Sequence, residues 1–111
     1  MEIKSTSMKH CVLVQVTGKL DSSSAPQLSE QLKKITDEGN YRIVLDMSKL
    51  EFVSSAGLWV LVNTQKVCKR FNRGELVFAE VPSKIYSALD LAGFIHYYKL
   101  FKTTAEAVGN F

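Results

Sequence analysis

Ser54 and Ser55 are the hydroxyls of this sequence best placed for chemistry. They stand in LEFVSSAGLWVLV (residues 50–62), where a strand-like apolar run ends and a helix-like one begins. A serine at a helix start accepts a hydrogen bond from an otherwise orphaned backbone N–H, worth about 1 kcal/mol. Ser54 suits that role. Ser55, one residue on, would hold its hydroxyl outward from the first turn, with Ala56 and Gly57 leaving room for a partner. A phosphate at this place adds close to two negative charges and three strong acceptors. The free N–H groups and the positive end of the helix dipole tolerate that charge. A partner surface packed on the bare turn would not. The turn therefore reads either as a cap alone or as a switch of association that leaves the fold intact. Trp59, one turn further and off the apolar stripe, reads as an interface anchor or as an aromatic half-buried under a loop.

Other chemistries find less support. The residue two before Ser55 is Val53 rather than Gly, so the G-x-S-x-G elbow of hydrolases is missing. His10 and His96 stand in no catalytic context, which leaves a hydrolase using Ser55 as nucleophile without a visible base. The carboxylates Asp21, Asp46, Glu51, Asp90 and Glu106 are scattered, with no pair spaced for acid/base work. No glycine-rich phosphate loop and no metal-ligand spacing occurs, so no cofactor, metal or catalytic residue is expected. Cys11 and Cys68 lie far apart inside apolar runs, and read as buried thiols in a reducing compartment.

The 111 residues, 46% apolar and 23% charged, suit one soluble domain with its own core. The net charge of +3 is spread over both signs. Positive residues gather only in KVCKRFNR (residues 66–73) and around Lys99 and Lys102, too thinly for a nucleic-acid partner. The first ten residues hold no secretory core, and no apolar run approaches the roughly 20 residues of a membrane span. A cytoplasmic protein is expected.

The elements that would position the serines alternate between two periods. EIKSTSM reads as an edge strand, and CVLVQVTG as a stronger one ended by Gly18. Val12, Val14 and Val16 fall on one face of it, Cys11, Leu13 and Gln15 on the other. A helix follows, with Ser24 as N-cap, Gln27 as its capping-box partner, Leu28, Leu32 and Ile35 as its buried stripe and Gly39 as its stop. YRIVLDM reads as a central strand buried on both faces and ending at Asp46. From Ala56 a second helix buries Leu58, Leu61, Val62, Gln65 and Cys68, and Gly74 terminates it. ELVFAEV is the next strand. Pro82 and Ser83 start a short helix with Ile85, Leu89 and Leu91 inward, HYYKLF is a last edge strand, and TTAEAVGNF a frayed terminal helix. The alternation predicts an α/β domain over residues 1–111: a mixed sheet of four to five strands, parallel at its centre, with about four α-helices. Such sheets carry function at strand-to-helix turns on their carboxyl edge, where the serines lie.

These residues resemble the STAS-domain anti-sigma factor antagonists of bacteria. VTGKLDSSSAPQLSEQL is similar to that family's G-x-L/I-D turn and first helix. RIVLDMSKLEFVSSAGLWVLV resembles its signature strand, turn and phosphosite helix, and LDLAGF (residues 89–94) its late L-x-x-x-G element. The resemblance implies a non-enzymatic partner switch. The unmodified protein would bind an anti-sigma factor serine kinase; phosphorylation of Ser55 would release it, and a PP2C-type phosphatase would restore it. Ser54 occupies the position where the motif carries Asp. Asp21 matches the Asp of the first-helix turn, and Asp46 the polar residue at the end of the central strand. The implied contact surface comprises Asp21, Ser22, Ser54, Ser55, Ala56, Gly57 and Trp59. The alternative within the family is an interaction module that is never phosphorylated, in a lipid-transport or stressosome-like assembly.

Overall fold

A computed structural model describes residues 1–111. Five strands, β1 (Glu2–Ser7), β2 (Val12–Leu20), β3 (Arg42–Val53), β4 (Glu75–Ala79) and β5 (Leu100–Phe101), form one sheet in sequential order. β1 runs antiparallel to β2, and the remaining neighbours are parallel. Helices α1 (Ala25–Asp37), α2 (Ser55–Lys69) and α3 (Ser83–Leu91) cross between the parallel strands, and α4 (Thr104–Gly109) follows β5. Because each right-handed crossover steps the same way along the sheet, α1, α2 and α3 share one face. No helix is long and apolar enough to cross a membrane.

The main core lies under those three helices. Val12, Val14 and Val16 of β2, Ile43, Leu45 and Met47 of β3, and Leu76 and Phe78 of β4 meet Leu28, Leu32, Leu61, Cys68, Ile85 and Leu89. The other face carries a smaller cluster in which Cys11, Leu13, Val44, Val77 and Ala79 pack on Ala107 of α4. The alternation read along β2 is thus the division between two cores.

Several expectations are corrected. Gly18, at φ +104, does not end β2: it sits at a register shift, and the strand continues to Leu20. β3 likewise runs on past Asp46 to Val53, because these irregularities let its charged second half keep pairing with β2. The capping box at α1 does not form. The Ser24 hydroxyl is taken by the Lys19 carbonyl (2.7 Å) and the Asp21 N–H (2.9 Å), and Gln27 donates to the Met1 carbonyl instead. On α2 the fully buried face is Gly57, Val60, Leu61, Thr64, Gln65 and Cys68, with Leu58 and Val62 only half-buried at its margins. Leu91 points outward and is 92% exposed, since α3 turns Ile85 and Leu89 to the core and stops at Gly93. The last helix is not frayed. Thr103 caps it by accepting from Glu106 N–H (3.1 Å), and Glu80 accepts from Thr104 N–H (3.0 Å).

Candidate functional site at the β3–α2 turn

The carboxyl ends of β2 and β3 finish side by side, with Leu20 in register with Val53. One residue further, Ser54 N–H donates to the Leu20 carbonyl at 2.8 Å, which pins the start of α2 to the end of β2. Ser54 keeps an extended backbone (φ −98°, ψ 173°) and its hydroxyl accepts from Gly57 N–H over a long 3.4 Å. It is the N-cap that the sequence suggested.

Ser55 is the first helical residue and is exposed, with no hydrogen bond to its hydroxyl from the rest of the chain. No acidic residue occupies the first turn of α2, so the partial positive charge of its N–H groups is uncompensated. Two like residues thus divide the work: Ser54 is spent on the fold, and Ser55 is chemically free.

Gly57 does not keep the surface open, as the sequence reading had it. It is buried and faces Leu20: a Cβ there would lie 2.5 Å from Leu20 Cγ and 2.8 Å from Cδ2. Its role is to let the helix approach the strand end. Ala56 is half-buried against the main core. Trp59 is 63% exposed, on the outer side of α2.

Asp21 follows Leu20 directly, so it shares this edge with Ser54 and Ser55. Its Oδ1 accepts from the Ser23 hydroxyl (2.6 Å), Ser23 N–H (3.0 Å) and Ser24 N–H (3.2 Å), and its carbonyl accepts from Ala25 N–H (2.8 Å). The Asp21 carboxylate thereby ties the turn that leads into α1, while Ser24 stays the N-cap residue without a side-chain cap bond. The Ser23 hydroxyl, then the Ser24 N–H, hold its carboxyl below the usual carboxylate range. Ser22 is exposed at the tip of the same turn. Asp46 lies elsewhere. It sits mid-strand on β3, buried, accepting from Gln15 Nε2 (3.2 Å) and Ser48 N–H (2.9 Å), because β3 continues for seven residues beyond it.

Three neighbours escaped the sequence reading. Lys19, Phe52 and Lys84 line a shallow cleft of about 450 Å³ with Asp21 and Glu51. Phe52 is 46% exposed because the register shift at the end of β2 turns it out of the core. Its place beside the serines was the one available signal. Neither histidine makes a hydrogen bond to Ser55, and His10 precedes β2 at the opposite edge of the sheet.

The model of the STAS domain matches residues 2–107. The chain belongs to the STAS domain family. Among its relatives is BtrV of Bordetella bronchiseptica, named as a candidate anti-sigma factor antagonist. The two are 31% identical over 94 residues, which is 85% of this chain and 80% of BtrV. A candidate anti-sigma factor antagonist from Thermotoga maritima superimposes with a TM-score of 0.91 at 20% identity, over 97% of this chain and 92% of that one. The Bacillus anti-sigma factor antagonist SpoIIAA in its unphosphorylated form gives 0.77 at 14% identity, over 98% and 96%. Its phosphorylated form has the same fold. Both structural likenesses bear on the fold, and they put the STAS architecture beyond the sequence motif alone.

Proposed function

We propose that this STAS domain is an anti-sigma factor antagonist, a cytoplasmic regulator rather than an enzyme, that switches partners at Ser55. The unmodified edge formed by Asp21, Ser22, Ser54, Ser55 and Trp59 binds an anti-sigma factor serine kinase. Transfer of a phosphoryl group from ATP to the Ser55 hydroxyl breaks that contact, and a PP2C-type phosphatase hydrolyses the phosphoserine back. The observation that carries the reading is the free, exposed Ser55 hydroxyl at an uncompensated helix N-terminus, one residue from a serine already committed to the fold. The names of BtrV and of SpoIIAA, the latter solved with and without phosphate, support it.

The physical argument concerns where the added charge is tolerated. In the free protein the phosphate meets N–H groups and a helix dipole that favour anions by about 0.3–1 kcal/mol, and displaces nothing. Under a docked partner the same charge must be desolvated, and like-charge or unpaired contacts cost several kcal/mol. Incubation with the cognate kinase and ATP should add one phosphate to wild type and none to Ser55→Ala. Ser55→Asp should weaken capture of the kinase tenfold or more while the melting temperature stays put. Phosphate retained in Ser55→Ala, or equal capture by wild type and Ser55→Asp, would sink the mechanism; the latter would leave a constitutive interaction module.

A further inference from the structure

The basic stretch KVCKRFNR is not part of the Ser55 edge; it lies at the other end of the sheet, and the fold enlarges it. Register pairs Val12 with Ile43 and Arg42 with Glu75, so the amino ends of β2, β3 and β4 lie side by side. One cleft there is lined by Lys9, His10, Arg42 and Arg73, and the next by Arg42, Lys69, Arg73 and Lys99. The two share Arg42 and Arg73, which makes the positive surface continuous. Glu75 is the only acidic side chain lining either cleft, and it is already held by Lys99 (3.5 Å) and Lys69 (3.8 Å).

One bare aromatic stands in this surface. Phe71 is 84% exposed, and both it (φ 58°) and Asn72 (φ 55°) hold left-handed backbone, uncommon for residues other than glycine. Arg73 fixes the turn. It donates to the Val67 carbonyl (2.8 Å) and the Arg70 carbonyl (3.1 Å), and its guanidinium stacks 3.7 Å from the centre of the Tyr41 ring. The exposure of Phe71 is therefore built into the backbone, which the core has no part in.

We propose that this edge docks on a lipid bilayer carrying anionic headgroups. Phe71 enters the headgroup region, and Lys9, Arg42, Lys69, Arg70 and Lys99 lie against the charged surface. Charge complementarity and composition favour a bilayer over other anions. Lysine is depleted from the cores of protein interfaces, where aromatic residues cluster; here one bare aromatic stands among cations. Nucleic acid without sequence preference wants several exposed stacking rings; here Tyr41 lies under Arg73 and Phe111 packs on the smaller core, which leaves Phe71 as the one bare ring. A cation-ringed aromatic is what the interfacial layer accepts. Docked in this way, the protein would turn the Ser55 edge, at the far end of β3, toward solution.

Co-sedimentation with vesicles tests the proposal, comparing phosphatidylcholine alone with phosphatidylcholine containing about 30% phosphatidylglycerol. Wild type should partition onto the mixed vesicles only, and be released by about 0.5 M salt. Each cation near the surface is worth roughly fivefold in partitioning, so Lys69→Gln/Arg70→Gln should lose about 25-fold. Phe71→Asn, which suits left-handed backbone and should fold as well as wild type, should lose about tenfold. Circular dichroism and melting temperature verify folding of both variants. Absence of binding to the anionic vesicles at low salt overturns the proposal, as does equal partitioning of wild type and Phe71→Asn. Binding to polyglutamate or duplex DNA with the same loss in Phe71→Asn overturns it too, in favour of an acidic macromolecule.

Discussion

Gly57→Ala should destabilise the protein, although alanine is the better helix former. In an exposed helix interior the exchange gains about 1 kcal/mol, and less in a first turn. Here the new Cβ would lie 2.5 Å and 2.8 Å from two carbons of Leu20 and 3.2 Å from its carbonyl oxygen. Carbon atoms pack at about 3.5–4.0 Å, so the overlap is near 1 Å. Leu20 is fully buried and cannot swing into solvent. An off-rotamer Leu20 costs about 0.5–1.5 kcal/mol. Displacement of α2 instead stretches the Ser54–Leu20 hydrogen bond of 2.8 Å, worth about as much. Overpacking of this kind costs about 1–3 kcal/mol, which leaves a net loss of roughly 1–2 after the propensity gain. For a domain of this size that lowers the melting temperature by about 4–9 °C. Urea titration of a double-mutant cycle with Leu20→Ala decides the cause. In the Leu20→Ala background the clash is gone, and Gly57→Ala should be neutral or stabilising. An equal loss in both backgrounds, or a Gly57→Ala protein as stable as wild type, would refute the reasoning.

Two further predictions test what holds the site in place. Gln65 spans from α2 to β4, donating to the Leu76 carbonyl (3.0 Å) and accepting from Leu76 N–H (2.7 Å), because β5 pairs only with Phe78 and Ala79 and does not reach Leu76. Gln65→Met keeps the volume but strands two buried backbone groups, so the urea midpoint should fall by the equivalent of about 2–5 kcal/mol; a loss under about 1 would show the clamp to be dispensable. The Asp21 pKa is lowered in the fold, so the carboxylate stabilises above its unfolded value, and that contribution is lost as pH falls through the folded pKa. Asp21→Asn should therefore be less stable than wild type at neutral pH and converge with it below pH 3.8, followed by circular dichroism; parallel acid-unfolding curves would contradict the assignment.

The architecture was legible where one period dominated. Val12, Val14 and Val16 announced a two-faced strand, and Leu28, Leu32 and Ile35 a helix with one buried side, and both lie in the main core. The second half of β3 was not legible, since a register shift breaks the alternation and Lys49, Glu51 and Phe52 face outward. Gln65 was visible as a member of a stripe, but not as a clamp, because its purpose depends on how short β5 is. At the site, the cap on Ser54 and the exposure of Ser55 followed from local rules, whereas Trp59 reads either as an anchor or as half-buried under a loop, and the structure leaves it exposed. The inward turn of Gly57 depended on Leu20, thirty-seven residues away in sequence. Lys19 and Lys84 reached the cleft beside Asp21 from separate elements, which no window of sequence could join.

The sequential strand order would let the proposed switch sit at Ser55 without endangering the fold. With every crossover helix on one face, α2 is held by its buried side along β3 and β4 and by Gln65 at its middle, far from its first turn. Its start is held by Ser54 N–H and by Gly57 against Leu20, bonds that leave the Ser55 side chain out. A charge added to Ser55 therefore changes no contact that supports the core. It acts only on what lies outside the molecule, and the uncompensated N–H groups at the start of α2 favour that charge while the protein is free. Release would then be driven by two terms of the same sign: repulsion from the docked partner, and stabilisation of the phosphorylated free state.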